Sequence, residues 1–151
     1  LLISLVLSLT QAKLLTVGKH DHKLRLLKKY GLQTLLLPQL HLSKQYDVVV
    51  DATGSVDGLK LAQSVLKPKG KLILKSTVGE NSSYNFAPFV IDEIQLLGSR
   101  CGPFEPAIRL LAKKYLDFSD LISCSFPLNN ALEAFEAAKN SENIKVLITM
   151  S

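Results

Sequence analysis

The chain has 151 residues and contains no tryptophan, one methionine and only two cysteines, Cys101 and Cys124. Two cysteines far apart in the sequence, with no histidine beside them, match neither a disulfide framework nor a zinc-ribbon spacing. Both thiols are therefore expected to be reduced, as in a cytoplasmic protein. The 8 glycines and 6 prolines are too few for a collagen-like or disordered chain.

No apolar run approaches the ~20 residues that a membrane-spanning helix requires, so no membrane partner is expected. The apolar opening from Leu1 to Leu9 has the composition of a signal-peptide core, but no basic residues precede it and no methionine begins it. We favour a buried helix there and expect further residues upstream of Leu1.

Hydrophobic residues make up 47% of the chain and charged residues 21%, which is typical of a packed globular protein. The net charge is +5, but the lysines are spread along the chain instead of forming one basic run. This pattern suits a small anionic ligand and does not call for nucleic acid as a partner.

Hydrophobic periodicity predicts helices and strands in alternation. The run 47–51 is the strongest strand, because three consecutive valines disfavour a helix. The predicted helices lie near 1–11, 21–30 and 56–66, from about Pro106, and after a capping box formed by Asn130 and Glu133. The predicted strands are 14–17, 34–37, 47–51, 71–75, 94–99 and 144–149.

Strands that alternate with helices predict right-handed βαβ crossovers and a doubly wound α/β domain with a mostly parallel sheet. Such a sheet normally starts with a strand, whereas this chain starts with a predicted helix. We therefore expect that the first strand and the loop after it are missing upstream.

Ligands of such sheets bind beyond the carboxyl ends of the strands. The candidate ligand-binding segments are therefore residues 18–20, 52–54, 76–78 and 99–102. The alternative is that these segments are ordinary turns.

Three other groups of residues are weaker candidates for metal binding or catalysis. His20 and His22 have the spacing of a metal-ligand pair, although such pairs more often face solvent. Cys101 has no histidine near it in the sequence, which disfavours a nucleophile. Asp47 and Asp51 lie on one face of a predicted strand, where a structural role is more common than acid–base catalysis.

Residues 46–55 (YDVVVDATGS) and 66–74 (LKPKGKLIL) resemble the cofactor-binding half of the medium-chain dehydrogenase/reductase superfamily, in its zinc-dependent alcohol dehydrogenase-like branch. Residues 97–104 (LGSRCGPF) and 143–148 (NIKVLI) are similar to later landmarks of the same domain. The resemblance implies a Rossmann-like domain that binds a nicotinamide dinucleotide, while a separate catalytic domain holds zinc and substrate.

Two departures from the family pattern limit what the resemblance implies. The glycine-rich loop G-x-G-x-x-G, which meets the cofactor pyrophosphate, does not occur in the chain. The catalytic domain with its zinc ligands has no counterpart either. Residues 1–151 are therefore expected to form a partial dinucleotide-binding domain that has no catalytic residues or metal ligands of its own and is inactive alone.

The resemblance also implies roles for individual residues. Gly18 stands where NAD-preferring relatives have an acidic residue, so with Lys19 and His20 it favours NADP over NAD. Lys23 corresponds to a lysine near the adenosine ribose, and Lys145 to a basic residue near the pyrophosphate. The remaining cofactor-binding candidates are strand-end residues, namely Ala52, Thr53, Gly54, Ser76, Thr77, Val78, Ser99, Arg100 and Cys101.

The sequence thus predicts the NADP- or NAD-binding part of an alcohol dehydrogenase-like oxidoreductase, which transfers hydride between an alcohol and a carbonyl compound. Small alcohol or carbonyl substrates are expected for the full-length enzyme, and homo-oligomers for the chain. A non-catalytic Rossmann-like module that binds nucleotide or a protein partner is the alternative. A methyltransferase has the same fold class, but the order of the landmarks favours the dehydrogenase.

Overall fold

The structure is a computed structural model that describes residues 1–77 and 83–150. The chain forms two compact units. The first unit consists of Leu1–Leu40 and Glu105–Ser151, and the second consists of His41–Phe104. Within the described residues, no helix is long and apolar enough to cross a membrane.

Helices and strands alternate along most of the chain, as the sequence predicts. The helices are α1 (Leu2–Leu7), α2 (Asp21–Lys29), α3 (Val56–Val65), α4 (Ala87–Ile91), α5 (Phe104–Ala112) and α6 (Ala131–Lys139). The strands are β1 (Leu15–Gly18), β2 (Gln33–Leu36), β3 (Tyr46–Asp51), β4 (Leu66–Leu74), β5 (Gln95–Gly98), β6 (Ile122–Pro127) and β7 (Lys145–Thr149). Short 3₁₀ turns lie at Leu37–Gln39, Ser119–Leu121 and Leu128–Asn130.

Every strand pair in the described residues is parallel, which confirms the predicted α/β class. Strands β3, β4 and β5 form a three-stranded sheet in that order, whereas β1 pairs with β2 and β6 pairs with β7. Parallel pairing requires crossover connections, and helices α2, α3 and α6 supply them between paired strands. The architecture is that of a Rossmann-like domain.

The core of the second unit lies between the three-stranded sheet and its helices. Leu66 and Leu72 of β4 are fully buried and pack with Ala62 of α3 and Phe89 of α4. The register of β3 against β4 aligns Asp51 with Leu74, and β4 against β5 aligns Leu74 with Gly98. The three strands therefore end side by side at one edge of the sheet.

The core of the first unit joins α1, α2 and the segment before β6. Leu5, Leu27 and Leu121 are its buried members. Helix α2 ends as predicted, because Gly31 adopts a φ of +72° that a residue with a side chain rarely adopts. The sequence therefore encodes both the buried stripe and the end of this helix.

Several predicted boundaries are wrong for physical reasons. Helix α1 ends at Leu7 instead of continuing to residue 11, because the hydroxyls of Ser8 and Thr10 donate to the carbonyls of Leu5 and Leu7. Strand β4 begins at Leu66 instead of residue 71, so Pro68–Gly70 lies inside an irregular strand. Strand β6 and helix α4 were not predicted from the sequence.

Helix α6 also differs from its prediction. The Asn130 side chain accepts no backbone N–H at the helix start, and its Nδ2 instead donates to Glu133 Oε1 over 3.2 Å. The apolar side chains of Leu132 and Phe135 are 83% and 63% exposed, whereas Ala134 is buried. The helix forms where it was predicted, but without the predicted capping box.

Candidate functional site

The carboxyl edge of the three-stranded sheet brings three groups of predicted site residues together. The Lys75 amide donates to the Asp51 carbonyl over 2.8 Å, and the Ser99 amide donates to the Leu74 carbonyl over 2.9 Å. These bonds extend the strand ladder to the turns that follow β3, β4 and β5. Three predicted segments therefore lie along one edge of the second unit, namely Ala52–Gly54, Ser76–Thr77 and Ser99–Cys101. Val78 lies outside the described residues.

The turn after β3 is held by a network of polar contacts. The buried Asp51 carboxylate accepts hydrogen bonds from the Thr53 amide (3.0 Å) and the Thr53 hydroxyl (2.8 Å). The Gly54 amide donates to Ser76 Oγ over 2.8 Å, which ties this turn to the end of β4. Gly54 has a φ of +73°, a conformation that favours glycine. Asp51 thus has a structural role here, consistent with the more common expectation for strand aspartates.

The first turn of α3 packs directly against this network. Ser55 caps the helix, because its Oγ accepts a hydrogen bond from the Gly58 amide over 3.1 Å. A Cβ atom on Gly58 would lie 1.8 Å from Thr53 Oγ1, so only glycine fits at this position. Sequence reasoning missed Gly58, although a serine cap followed three residues later by a helical glycine was a visible signal.

Lys75 is a second residue that sequence reasoning missed. Its Nζ donates to Ser99 Oγ over 3.4 Å and to the Arg100 carbonyl, so it links the ends of β4 and β5. Thr77, Ser99, Arg100 and Cys101 are exposed at this edge. No sequence pattern indicates this contact, because it joins residues 24 and 25 positions apart.

In the first unit, the predicted nucleotide residues lie where β1 ends and α2 begins. Gly18 is the last residue of β1, and a Cβ atom on it would lie 3.0 Å from Leu24 Cδ2. Lys19 and His20 are exposed, and Lys23 is half-buried on the first turn of α2. Within the described part of the chain, Lys19 makes no side-chain hydrogen bond or ion pair.

Asp21 adds a carboxylate to the same helix start. Arg25 Nη2 lies 2.6 Å from Asp21 Oδ2, and Lys28 Nζ lies 3.9 Å from Oδ1. The hydrogen bond from Arg25 lowers the pKa of Asp21 below its ordinary value, with smaller contributions from the surrounding positive charges. Asp21 is therefore ionised at neutral pH, and two cations offset its charge.

The segment before β7 approaches the first turn of α2. Glu142 Oε2 lies 3.5 Å from His22 Nε2, and the His22 ring lies 5.7 Å from the His20 ring between centroids. Lys145, three positions after Glu142, is exposed at the amino end of β7. It also borders an apolar groove of about 320 Å³ between α1, α5 and β7.

Side chains that could bind a metal ion do not cluster in the described part of the chain. Among residues 1–77 and 83–150, no three histidine, cysteine, aspartate or glutamate side chains come close enough to hold a metal ion. Cys101 and Cys124 are both free thiols and lie in different units. The described residues therefore do not fit a zinc ion.

Comparison with known proteins decides the family. Residues 2–113 match the family described as zinc-binding dehydrogenase, which is well over half of the chain. The chain belongs to this family. The sorbitol dehydrogenase of Halalkalibacterium halodurans is 30% identical over 107 residues, which are 68% of this chain and 31% of that protein. The resemblance to zinc-dependent alcohol dehydrogenases is thereby confirmed.

Solved structures of similar proteins show the same fold. A zinc-binding dehydrogenase of Sinorhizobium meliloti bound to NADP aligns with a TM-score of 0.84 at 21% identity, over 97% of this chain and 48% of its own. An alcohol dehydrogenase of Escherichia coli CFT073 in complex with NADH aligns with a TM-score of 0.77 at 20% identity, over 90% of this chain and 44% of its own. The chain thus spans less than half the length of each of these three proteins.

Proposed function

We propose that this chain is the nicotinamide-dinucleotide-binding part of an alcohol dehydrogenase-like oxidoreductase that transfers hydride between an alcohol and a carbonyl compound. The observation behind this proposal is the turn built by Asp51, Thr53, Gly54 and Ser76 at the carboxyl edge of the three-stranded sheet. Ligands of open α/β sheets bind at this edge.

The geometry of the turn suits close approach by a flat ligand. The side chains of Asp51, Thr53 and Ser76 are engaged within the network. Gly54 presents backbone without a side chain, and a Cβ atom there would meet nothing within 4 Å. A cofactor ring can therefore contact the backbone at this edge, and the rigid turn limits the ordering entropy that binding costs. When bound, the nicotinamide ring supplies the chemistry, namely accepting or donating the hydride.

The division of labour with the rest of the enzyme is also part of the proposal. Residues 1–151 act as a partial dinucleotide-binding domain, and zinc and the alcohol or carbonyl substrate are held by a catalytic domain outside this chain. The described residues here contain no metal-binding cluster. The contribution of this chain is to bind the cofactor and to orient it.

Two glycines with the same backbone conformation make a matched test of the binding edge. Gly54 and Gly31 have φ values of +73° and +72°, and neither has an atom within 4 Å of a built Cβ. Alanine at either position should cost about 1 kcal/mol of stability. Only Gly54→Ala should weaken NADH and NADPH binding in calorimetric titrations, by about ten-fold or ~1.4 kcal/mol.

The outcomes of that titration separate the alternatives. Equal losses of affinity in Gly54→Ala and Gly31→Ala would contradict the assignment of the edge. Failure of the unaltered chain to bind either cofactor would contradict the proposed function and would leave a non-catalytic module that binds a protein partner.

NADP is the proposed preferred cofactor. The absence of a carboxylate at Gly18 removes a repulsion, and exposed Lys19 and His20 provide positive charge or donors for a 2′-phosphate. A charge-assisted contact of about 1.5–3 kcal/mol corresponds to a roughly ten-fold to hundred-fold preference for NADPH over NADH. The other residues proposed to contact the cofactor are Lys23 and Lys145 in the first unit, and Thr77, Val78, Ser99, Arg100 and Cys101 in the second unit.

Substitutions at Gly18 and Lys19 test this preference. Gly18→Asp should reduce or reverse the NADPH preference, whereas Gly18→Ala should retain it, because alanine meets the same Leu24 side chain without adding charge. Lys19→Ala should reduce the affinity for NADPH and leave the affinity for NADH unchanged. Lys13 is also an exposed lysine, and Lys13→Ala should change neither affinity. Equal affinities for both cofactors, unchanged by Lys19→Ala, would refute the proposed preference.

A further inference from the structure

Glu142 faces the start of α2 from a distant part of the sequence. Its Oε2 atom lies 3.5 Å from His22 Nε2. This nitrogen is shielded from solvent and makes no hydrogen bond within residues 1–77 and 83–150. The Glu142 amide donates to Asn140 Oδ1 over 3.0 Å, which fixes the turn that presents the carboxylate. Glu142 is thus held against the first turn of α2.

The contact with His22 links Glu142 to the strand end at Gly18. The His22 and His20 rings lie 5.7 Å apart, and His20 is the residue directly before α2. In Rossmann-type domains an acidic residue near this strand end accepts a hydrogen bond from the ribose 2′-hydroxyl. Here glycine occupies the strand end, and a carboxylate approaches from the segment before β7 instead.

We infer that Glu142 is a specificity-determining residue that acts against a 2′-phosphate and so limits the preference for NADP. This inference rests on the proposed cofactor function. A carboxylate repels the dianionic 2′-phosphate of NADP, whereas the neutral 2′-hydroxyl of NAD experiences no such repulsion. The sequence therefore contains opposing determinants of cofactor choice, with Lys19 on one side and Glu142 on the other.

Asp21 does not take this role, although it lies closer in the sequence. Arg25 and Lys28 lie 2.6 Å and 3.9 Å from its carboxylate, so its charge is largely offset. The ion-pair partner of Glu142 in the described residues is His22 alone, whereas Asp21 has both an arginine and a lysine beside it. Lys19, His20 and Lys23 are other charged or titratable residues between the end of β1 and the first turn of α2. Glu142 therefore contributes the acidic charge that is least neutralised.

A charge series at residue 142 tests the inference. The Glu142 side chain is 66% exposed, so solvent and salt screen its field. Glu142→Gln should raise the ratio of NADPH to NADH affinity by about two-fold to three-fold at low salt, and Glu142→Lys should raise it further. Glu142→Asp should leave the ratio near that of the unaltered chain. Glu136→Gln is the control, since Glu136 is an exposed acid on α6 that pairs with Lys139.

The outcomes distinguish this inference from the proposed function. A ratio that rises in the order Glu, Gln, Lys and converges at high salt supports the role of charge. A ratio that is unchanged, or equally altered by Gln, Lys and Asp, would overturn the inference while leaving cofactor binding intact. Absence of binding of both NADH and NADPH to the unaltered chain would overturn the proposed function and this inference together.

Discussion

Gly58 is the single residue in the candidate site that tolerates least change. A Cβ atom there would lie 1.8 Å from Thr53 Oγ1 and 2.6 Å from Thr53 Cβ. Thr53 cannot move away freely, because its hydroxyl and its amide both donate to the buried Asp51 carboxylate. The start of α3 and the turn after β3 are therefore packed tightly against each other.

Gly58→Ala should lower the free energy of unfolding by about 1–3 kcal/mol, because it overpacks this contact. Combining it with Thr53→Ala removes Oγ1 and Cγ2, two of the three clashing atoms, and leaves only Cβ, so the double variant should be more stable than the sum of the single effects predicts. Chemical denaturation measures all three. Gly102→Ala, at a glycine with open space around its Cβ, is the control and should be nearly neutral. Additive effects of Gly58→Ala and Thr53→Ala would contradict the packing explanation.

At the scale of helices and strands, the elements that were predicted are those whose determinants lie within one short segment of the sequence. Helix α2, with its buried Leu24 and Leu27 and its Gly31 terminator, was predictable because all the determinants lie within one segment. Strand β6 was missed although its residues alternate between apolar and polar from Ile122 to Phe126, which is the pattern of a strand. Its stability also depends on pairing with β7, which the segment itself does not encode.

In the candidate site, too, residues in local patterns were predictable and residues that depend on distant contacts were not. The exposed turn Ala52–Gly54 follows a strong run of valines, so its location was predictable. Lys75 and Glu142 act through contacts across 25 and 120 positions, and no local pattern encodes such contacts.

The end of α5 provides a test at this scale. Lys114 follows the helix with a φ of +50°, a conformation that costs a non-glycine residue about 1–2 kcal/mol. Lys114→Gly should stabilise the chain by about 0.5 kcal/mol, since part of that gain is offset by the greater backbone freedom of glycine when unfolded. Lys113→Gly, one residue earlier and without a positive φ, should destabilise it. Urea denaturation of the pair measures the sign, and destabilisation by Lys114→Gly would show that this backbone conformation is not strained.

At the scale of the whole molecule, the chain combines a net charge of +5 with large exposed apolar side chains. Val90, Phe104 and Leu132 are 78%, 79% and 83% exposed. Apolar surface of this kind favours association. The purified chain should therefore form oligomers whose size rises with concentration in analytical ultracentrifugation. A monomer that stays monodisperse over a wide concentration range would contradict this expectation.

The whole chain is also expected to be inactive when it is alone. The purified chain with stoichiometric zinc should give no NADH or NADPH from an alcohol and oxidised cofactor, because its described residues do not assemble a metal-binding cluster. Formation of reduced cofactor is followed by its absorbance. Turnover in that assay would show that catalytic ligands lie within this chain, and a zinc-free sample is the control.

The hydrogen bond from the Gly54 amide to Ser76 Oγ has a consequence for spectroscopy. Gly54 is an exposed residue, yet its amide proton is engaged by a side chain from the next strand end. Hydrogen–deuterium exchange at this amide should consequently be slow for a surface turn, and fast in Ser76→Ala. The Gly54 resonance then reports whether the sheet edge is assembled before any nucleotide is added, in a sample that needs neither substrate nor metal.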